Sequence, residues 1–496
     1  MISRLTVILI AASLAFGSAA AAQTDPHITV LPLTTKSAKA HRLLDQAWDL
    51  AVDQVEQVKA IRVLRKAVQT DPNFAMGHEI LAQMSLDPSE QVSEQGKAFA
   101  TKRKASLAEQ TIVDWFQNAA EHKLIPAITN MNDVLGKYPQ DRWVVYLASH
   151  WLTNQTQYDR AAAVYEHSGI ADSPGLMNNT AYTYAYMRQF DKAFALMDKY
   201  IAALPKDANP QDSYAEIFRM AGHFDEAIEH YKAALAINPE FYSSQFGIAD
   251  TYSLVGDQVR ARQEYELAFR KFPLPELHRI QWKTREAITY VRDGDLKAAN
   301  AAFQVIADYA HAKKMSQVEA DTYRQMAMYQ LHSQQALLFL AKAEDALREG
   351  NNVMPGVIQQ EFAQILRARV ELAIKIGDQQ MADATLSELA ELSDNSDDKL
   401  IETAYHGAAG TLLFSGHDYK HAALHLEEDI HNPFSLKLLA VAYQKTGDSS
   451  EAKRTRDTLA NLNDPTLEQA MIVPAFRKCI QNPSCDSSIK KASFQP

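Results

Sequence analysis

Three histidines, His417, His421 and His425, fall four residues apart in the last fifth of this 496-residue chain. On a helix that spacing lines them along one face, and His421 with His425 could share a metal ion. Glu428 lies on about the same face. The competing reading is structural and the stronger one. Ala422 fits the small slot of a helix crossing and Leu426 points inward, which leaves the histidines beside the core on a partly solvated face. A second start, His78-Glu79-Ile80-Leu81-Ala82, opens like a zinc-protease helix but has alanine where the second histidine must stand. His78 therefore reads as a surface or inter-helix residue. Ser393-Asp394-Asn395-Ser396-Asp397-Asp398 is rich in oxygen ligands, yet it lacks the glycine and distal glutamate of a calcium loop. It reads as a solvated acidic loop. Neither a Gly-rich phosphate loop nor a Gly-x-Ser-x-Gly elbow occurs. No catalytic residue, metal or cofactor is expected.

The chain has two cysteines, Cys479 and Cys485, both near its C-terminal end. In an exported protein such a pair reads as a disulfide. Export is what the first residues suggest. Arg4 precedes an apolar run from Leu5 to Phe16, followed by Ser18-Ala19-Ala20-Ala21-Ala22-Gln23. Small residues before Gln23 fit cleavage after Ala22, making 1–22 a signal peptide. The run falls short of the roughly 20 residues of a comfortable membrane span. No cysteine follows it, which argues against a lipid anchor. A periplasmic or secreted protein is expected, with no integral span after cleavage. Formal net charge is −11, so nucleic acid, which needs a basic stripe, is not an expected partner.

Stepping along the chain, the dominant signal is an interval of 34 residues. Pro205, Pro239 and Pro273 keep it, as do Ala193, Ala227 and Ala261. Met197, Tyr231 and Tyr265 move in step, and so do Ala181, Ala215 and Ala249. Tyr184, Phe218 and Tyr252 complete the ladder. Alanine suits a close helix crossing, the aromatic fills space between units, and proline stops the second helix. The period and slots resemble the tetratricopeptide repeat, a helix–turn–helix unit. The segment Ala221-Gly222-His223-Phe224-Asp225-Glu226-Ala227, ending at Asn238-Pro239, carries the likeness best.

The resemblance implies an all-α fold, a right-handed superhelical solenoid of about twelve stacked helix pairs. We expect a linker over 23–40, regular repeats over 41–275, looser helical repeats over 276–465, and a C-terminal cap and tail over 466–496. Leu467 to Phe476 could form a short helix covering the last pair, as a solenoid end requires. Tyr200 breaks the pattern, standing where the next units have Ala234 and Ala268. Local crowding or a slightly opened superhelix is expected there.

A solenoid of this kind offers its concave face, lined by first helices, to a partner. In units four to six that face should present Tyr146, Asn178, Asn179, Tyr182 and Tyr186. Asp212, Glu216 and Arg219 should continue it, followed by Phe246 and Asp250. Tyrosines give rigid contact area and asparagines pair with a peptide backbone. The expected function is a non-catalytic protein-interaction scaffold that takes a peptide or helix of an envelope protein. The acidic residues suggest a neutral or basic partner segment. The alternatives are a metal-dependent enzyme or metal-binding protein using His417, His421 and His425, and a solenoid that senses a small ligand.

Overall fold

The computed structural model describes residues 30–121, 123–170, 172–350 and 353–480. The expected signal peptide and Cys485 lie outside them, and the Cys479–Cys485 pairing with them. Twenty-five α-helices occur among the described residues. They stack as twelve antiparallel pairs and a terminal helix, Leu467–Ile480. No strand occurs among the described residues, and none of their helices is long and apolar enough to cross a membrane.

Units five to seven show why the 34-residue ladder folds as it does. Their pairs are Pro174–Tyr186 with Phe190–Ala203, Asn209–Ala221 with Phe224–Ile237, and Tyr242–Val255 with Gln258–Lys271. Ala181, Ala215 and Ala249 are fully buried, as are Ala193, Ala227 and Ala261. A larger side chain at these crossings would hold the helices apart. Each second helix ends two residues before Pro205, Pro239 or Pro273, which cannot supply the next amide donor. The turn within a unit needs a left-handed residue, and Gly222 and Gly256 supply it at φ +88° and +98°. Arg188 takes that same turn slot in unit five at φ +59°, a conformation unfavourable for a residue with a Cβ.

The first unit is less regular than its spacing suggests. Helix Ala38–Trp48 begins three residues earlier than expected, capped by Ser37. It ends in a π-turn, Asp49–Asp53, that packs against the first helix of unit five. Gly175 meets this turn so closely that any Cβ would overlap Val52. The Asp53 carboxylate accepts the Gly175 amide at 2.9 Å. Tyr200 explains itself here. It is fully buried, and its hydroxyl donates to the Asp53 carbonyl at 2.6 Å and accepts from Asn209 at 2.9 Å. The residue that departs from the repeat ties unit five to unit one. Trp48 adds an edge-on contact with Trp143 of unit four, centroids 4.4 Å apart.

Residues 30–37, expected as linker, form an extended strap on units one, three and four. Leu31 is buried, and its amide donates to Asp141 at 2.7 Å. The Thr34 amide donates to Glu109 at 2.9 Å, and Thr35 to Asp71 at 2.6 Å. These bonds offset the desolvation of the polar groups they pair and let a non-helical segment lie against the helices.

At the other end, the terminal helix joins two distant parts of the array. Ile472, Val473 and Phe476 pack with Leu436 and Leu459 of unit twelve, Pro433–Thr446 and Ser449–Ala460. Leu467 and Ala470 belong instead to the cluster of Ile280 and Ala287, on the first helix of unit eight, Glu276–Asp293. The helix thus covers the last pair and also bridges to unit eight.

Two glycines test the packing in opposite directions. A Cβ on Gly247 would enter the Tyr231 ring, whereas Gly96 has no atom within 4 Å. Gly247→Ala should cost about 1–3 kcal/mol by overpacking. Gly96→Ala should gain about 0.5–1 kcal/mol by stiffening an exposed helical position. Denaturant unfolding of both variants checks the pair.

Candidate functional site

The inner face of units five to eight carries a repeating polar slot. Tyr182, Glu216 and Asp250 occupy it at 34-residue intervals, and Arg285 follows 35 residues on. These side chains bind one another across units. The Tyr182 hydroxyl donates to Glu216 Oε2 at 2.8 Å, and Arg219 donates to Glu216 Oε1 at 2.8 Å. Asp250 accepts from the Tyr265 hydroxyl and from the Arg285 guanidinium. One turn earlier, buried Asp212 accepts from Ser244 Oγ at 2.6 Å. Burial alone would raise the Glu216 pKa, but Arg219, Arg285 and Tyr182 hold it below its ordinary value. Asp212 lacks a direct cation, and burial pushes it up to about 7.

Most residues expected to face a partner are therefore engaged internally. Asn179 donates to Ser149 Oγ at 3.0 Å. Tyr146 packs against Trp48 and stacks on His150. Asn178 is buried, and its Oδ1 has no hydrogen-bond partner. Phe246 has to be corrected. It is 0% exposed and stacked on Trp282, centroids 4.4 Å apart, so it is core and not groove lining. Of the tyrosines, Tyr182 leans on the Glu216 network while Tyr186 stays 40% exposed. Tyr186 stacks on Tyr158, and Tyr158 meets His431 edge-on, each pair with centroids 5.2 Å apart.

Those rings line a cavity of about 1590 Å³ between units four to six and the C-terminal part of the chain. A non-helical stretch of the chain itself, Asn461–Thr466, lies along its edge. Arg219 Nη1 donates to the Asn463 carbonyl at 3.1 Å, and Asn463 Nδ2 donates to the Met220 carbonyl at 3.2 Å. Met220 is in the last turn of its helix, where carbonyls lack intrahelical donors. Arg188 Nη1 donates to the Asn461 carbonyl at 3.2 Å. From the terminal helix, Arg477 holds the Ala460 and Leu462 carbonyls at 2.7 and 2.9 Å. The sequence reading missed Arg188, Tyr158, His431, Asn463 and Asp464. The only local signals were an arginine in a glycine slot and an Asn-Asp-Pro stretch after the last repeat.

The histidine ladder does not converge. His417 Nδ1 pairs with Tyr419 at 2.9 Å and His421 Nδ1 with Asp418 at 2.8 Å. His425 Nδ1 faces His406 Nδ1 at 3.0 Å. Among the described residues no group of three His, Cys, Asp or Glu side chains is placed to hold a metal ion. His78 is buried, bonded to Glu94 at 2.6 Å. In the acidic stretch, Asp398 caps the next helix and accepts the Leu400 amide at 2.8 Å.

Residues 211–241, the helix pair of unit six, match the sequence profile of the tetratricopeptide repeat. Unit six is thus a tetratricopeptide repeat. A relative in Saccharomyces cerevisiae, the anaphase-promoting complex subunit CDC16, is 32% identical over 90 residues. That match spans 18% of this chain and 11% of CDC16. Similar solved structures include a tetratricopeptide repeat protein from Parabacteroides merdae, 14% identical, covering 54% of this chain and 93% of its own, at a TM-score of 0.35. The APC/C hetero-tetramer Cut9–Hcn1 is also 14% identical, with 84% and 76% covered, at a TM-score of 0.40. The type IV pilus biogenesis factor PilW is 15% identical, with 45% and 96% covered, at a TM-score of 0.31.

In this repeat protein Asp212 should leave a signature in stability. Its raised pKa means the folded chain keeps a proton that the unfolded chain releases near pH 4. Its contribution is full below pH 4 and is lost as pH rises through about 7. Asp212→Asn cannot ionise, yet its carbonyl can still accept from Ser244. The variant should gain stability relative to wild type as pH climbs from 4 to 8, by up to about 1.4 kcal/mol per pH unit. Thermal melting of both proteins at pH 5 and pH 8 checks the sign.

Proposed function

We propose that this chain is a tetratricopeptide-repeat protein throughout its array and an exported protein-interaction scaffold without catalytic chemistry of its own. Its partner would be a protein of the cell envelope that offers an extended segment to the cavity edge of units four to six. The supporting observation is the hold on Asn461–Thr466, where Arg188 and Arg219 take main-chain carbonyls and the Met220 carbonyl takes a side-chain amide. Such contacts recognise an extended backbone, which is what a bound peptide presents. The cavity supports the same reading. At about 1590 Å³ it exceeds the roughly 300–1,000 Å³ of small-molecule pockets and suits a peptide better than a small ligand. Support for export rests on Arg4, the Leu5–Phe16 run and the small residues before Gln23.

Two measurements test this. Intact mass of the protein recovered from the cell envelope should correspond to a chain beginning at Gln23, and a mass retaining Met1 would remove the export claim. Tyr158→Ala with Tyr186→Ala should weaken cross-linking to envelope partners several-fold at unchanged helical content. Tyr182 is the wrong residue for that test, since it ties unit five to Glu216. Equal capture by wild type and the double variant would move the partner site elsewhere on the array.

A further inference from the structure

We propose that Asn461–Thr466 is a built-in occupant of the partner site, and that the site takes an extended segment carrying an amide followed by a carboxylate. This rests on the scaffold reading and says what the partner must look like. It also reverses the charge expected from sequence, which pointed to a neutral or basic partner.

The reversal follows from which charges are already paired. Glu216 is held by Arg219 and Tyr182, Asp250 by Arg285 and Tyr265, and Asp212 by Ser244. The acidic residues of the inner face thus have little attraction left for a basic ligand. The cations at the cavity edge are less engaged. Arg188 donates to a carbonyl, and Arg160 to the Gln157 side chain; neither is paired with a carboxylate. Asp464 lines the same cavity, its carboxylate accepting from Gln469 Nε2 at 3.1 Å. Burial lowers the Arg188 pKa and the Asp464 charge opposes that shift; burial raises Tyr158 and Tyr186, and the same charge adds to the rise. The segment thus brings to this cavity an amide followed by a carboxylate, where Arg160 and Arg188 are cations without a carboxylate partner.

The amide position is equally specific. Asn463 is buried and pairs reciprocally, its carbonyl accepting from Arg219 and its side chain donating to the end of the same helix. Gly222 leaves room for it. A Cβ there would come within 3.2 Å of Asn463 Nδ2. Arg188 holds a left-handed turn position, unfavourable for a residue with a Cβ, that glycine fills in the next two units. From this position its side chain reaches the Asn461 carbonyl. These contacts join residues more than 240 positions apart, so the segment is brought here by the closure of the array and not by local folding.

A tethered segment competes at an effective concentration of roughly millimolar order. A peptide in trans should therefore bind the wild-type chain weakly and a chain with a weakened segment well. The probe is a fluorescent peptide of residues 458–468, measured by anisotropy against the full chain. Asn463→Ala with Asp464→Ala should bind it at least about tenfold more tightly than wild type. Adding Arg188→Gly, which also relieves the turn, should undo that gain. A peptide with alanines at the Asn-Asp pair should not bind. Affinity no greater than wild type, or equal binding of the alanine peptide, overturns the proposal. A second measurement needs no variant. Millimolar peptide should speed amide exchange of residues 461–466 in the unmodified chain, and unchanged exchange also overturns it. If these fail while Tyr158→Ala/Tyr186→Ala still abolishes envelope capture, the scaffold reading stands and this one falls.

Discussion

No helix pair in this chain can cover both of its own faces, and everything else follows from that. A pair buries one face internally and leaves the other for its neighbour, so stability accumulates by stacking. Stacking works only if the crossings stay narrow. Ala181, Ala215 and Ala249, with Ala193, Ala227 and Ala261, keep them so in the regular units. The two ends of the stack remain a liability, and the chain closes both. At the start, the 30–37 strap and the π-turn after Trp48 lay the first unit onto units four and five. At the finish, the terminal helix binds unit twelve with one set of side chains and unit eight with another.

The same period that spaces the alanines also spaces a polar slot. Tyr182, Glu216, Asp250 and Arg285 follow one another along the inner face and join through hydrogen bonds and ion pairs. Buried charges of this kind are tolerated when each has its partner. A face expected to be an open binding surface is thus largely a structural seam. What stays available is its edge, where Arg188, Tyr158, Tyr186 and the end of the unit-six helix meet the cavity. Binding by such a surface gains little from further acidic contacts and more from backbone and carboxylate recognition.

The repeat was legible because its slots are local. Pro239 stops a helix whatever the rest of the chain does, and Gly222 relaxes a turn by its own backbone freedom. Tyr200 was legible as an exception but not as a tie to Asp53, since no periodicity links residues 147 positions apart. Phe246 was misplaced for a related reason. Its slot holds polar Asn178 and Asp212 in units five and six, yet all three are buried, and Trp282 of unit eight covers Phe246. The histidine ladder shows the reverse error. Its spacing is regular on one helix, but Tyr419, Asp418 and His406 draw the rings apart. The Asn463 contact with unit six could not be read at all, because it depends on how far the whole array curls.

That curl is the central claim, and native-state hydrogen exchange of the full chain measures it most directly. If the terminal helix bridges units twelve and eight, amides of residues 467–480 should be protected to about the same free energy as those of 276–293 and be lost together with them. Terminal-helix amides exchanging near unfolded rates, while 276–293 stay protected, would mean that the array is open and the closure does not hold.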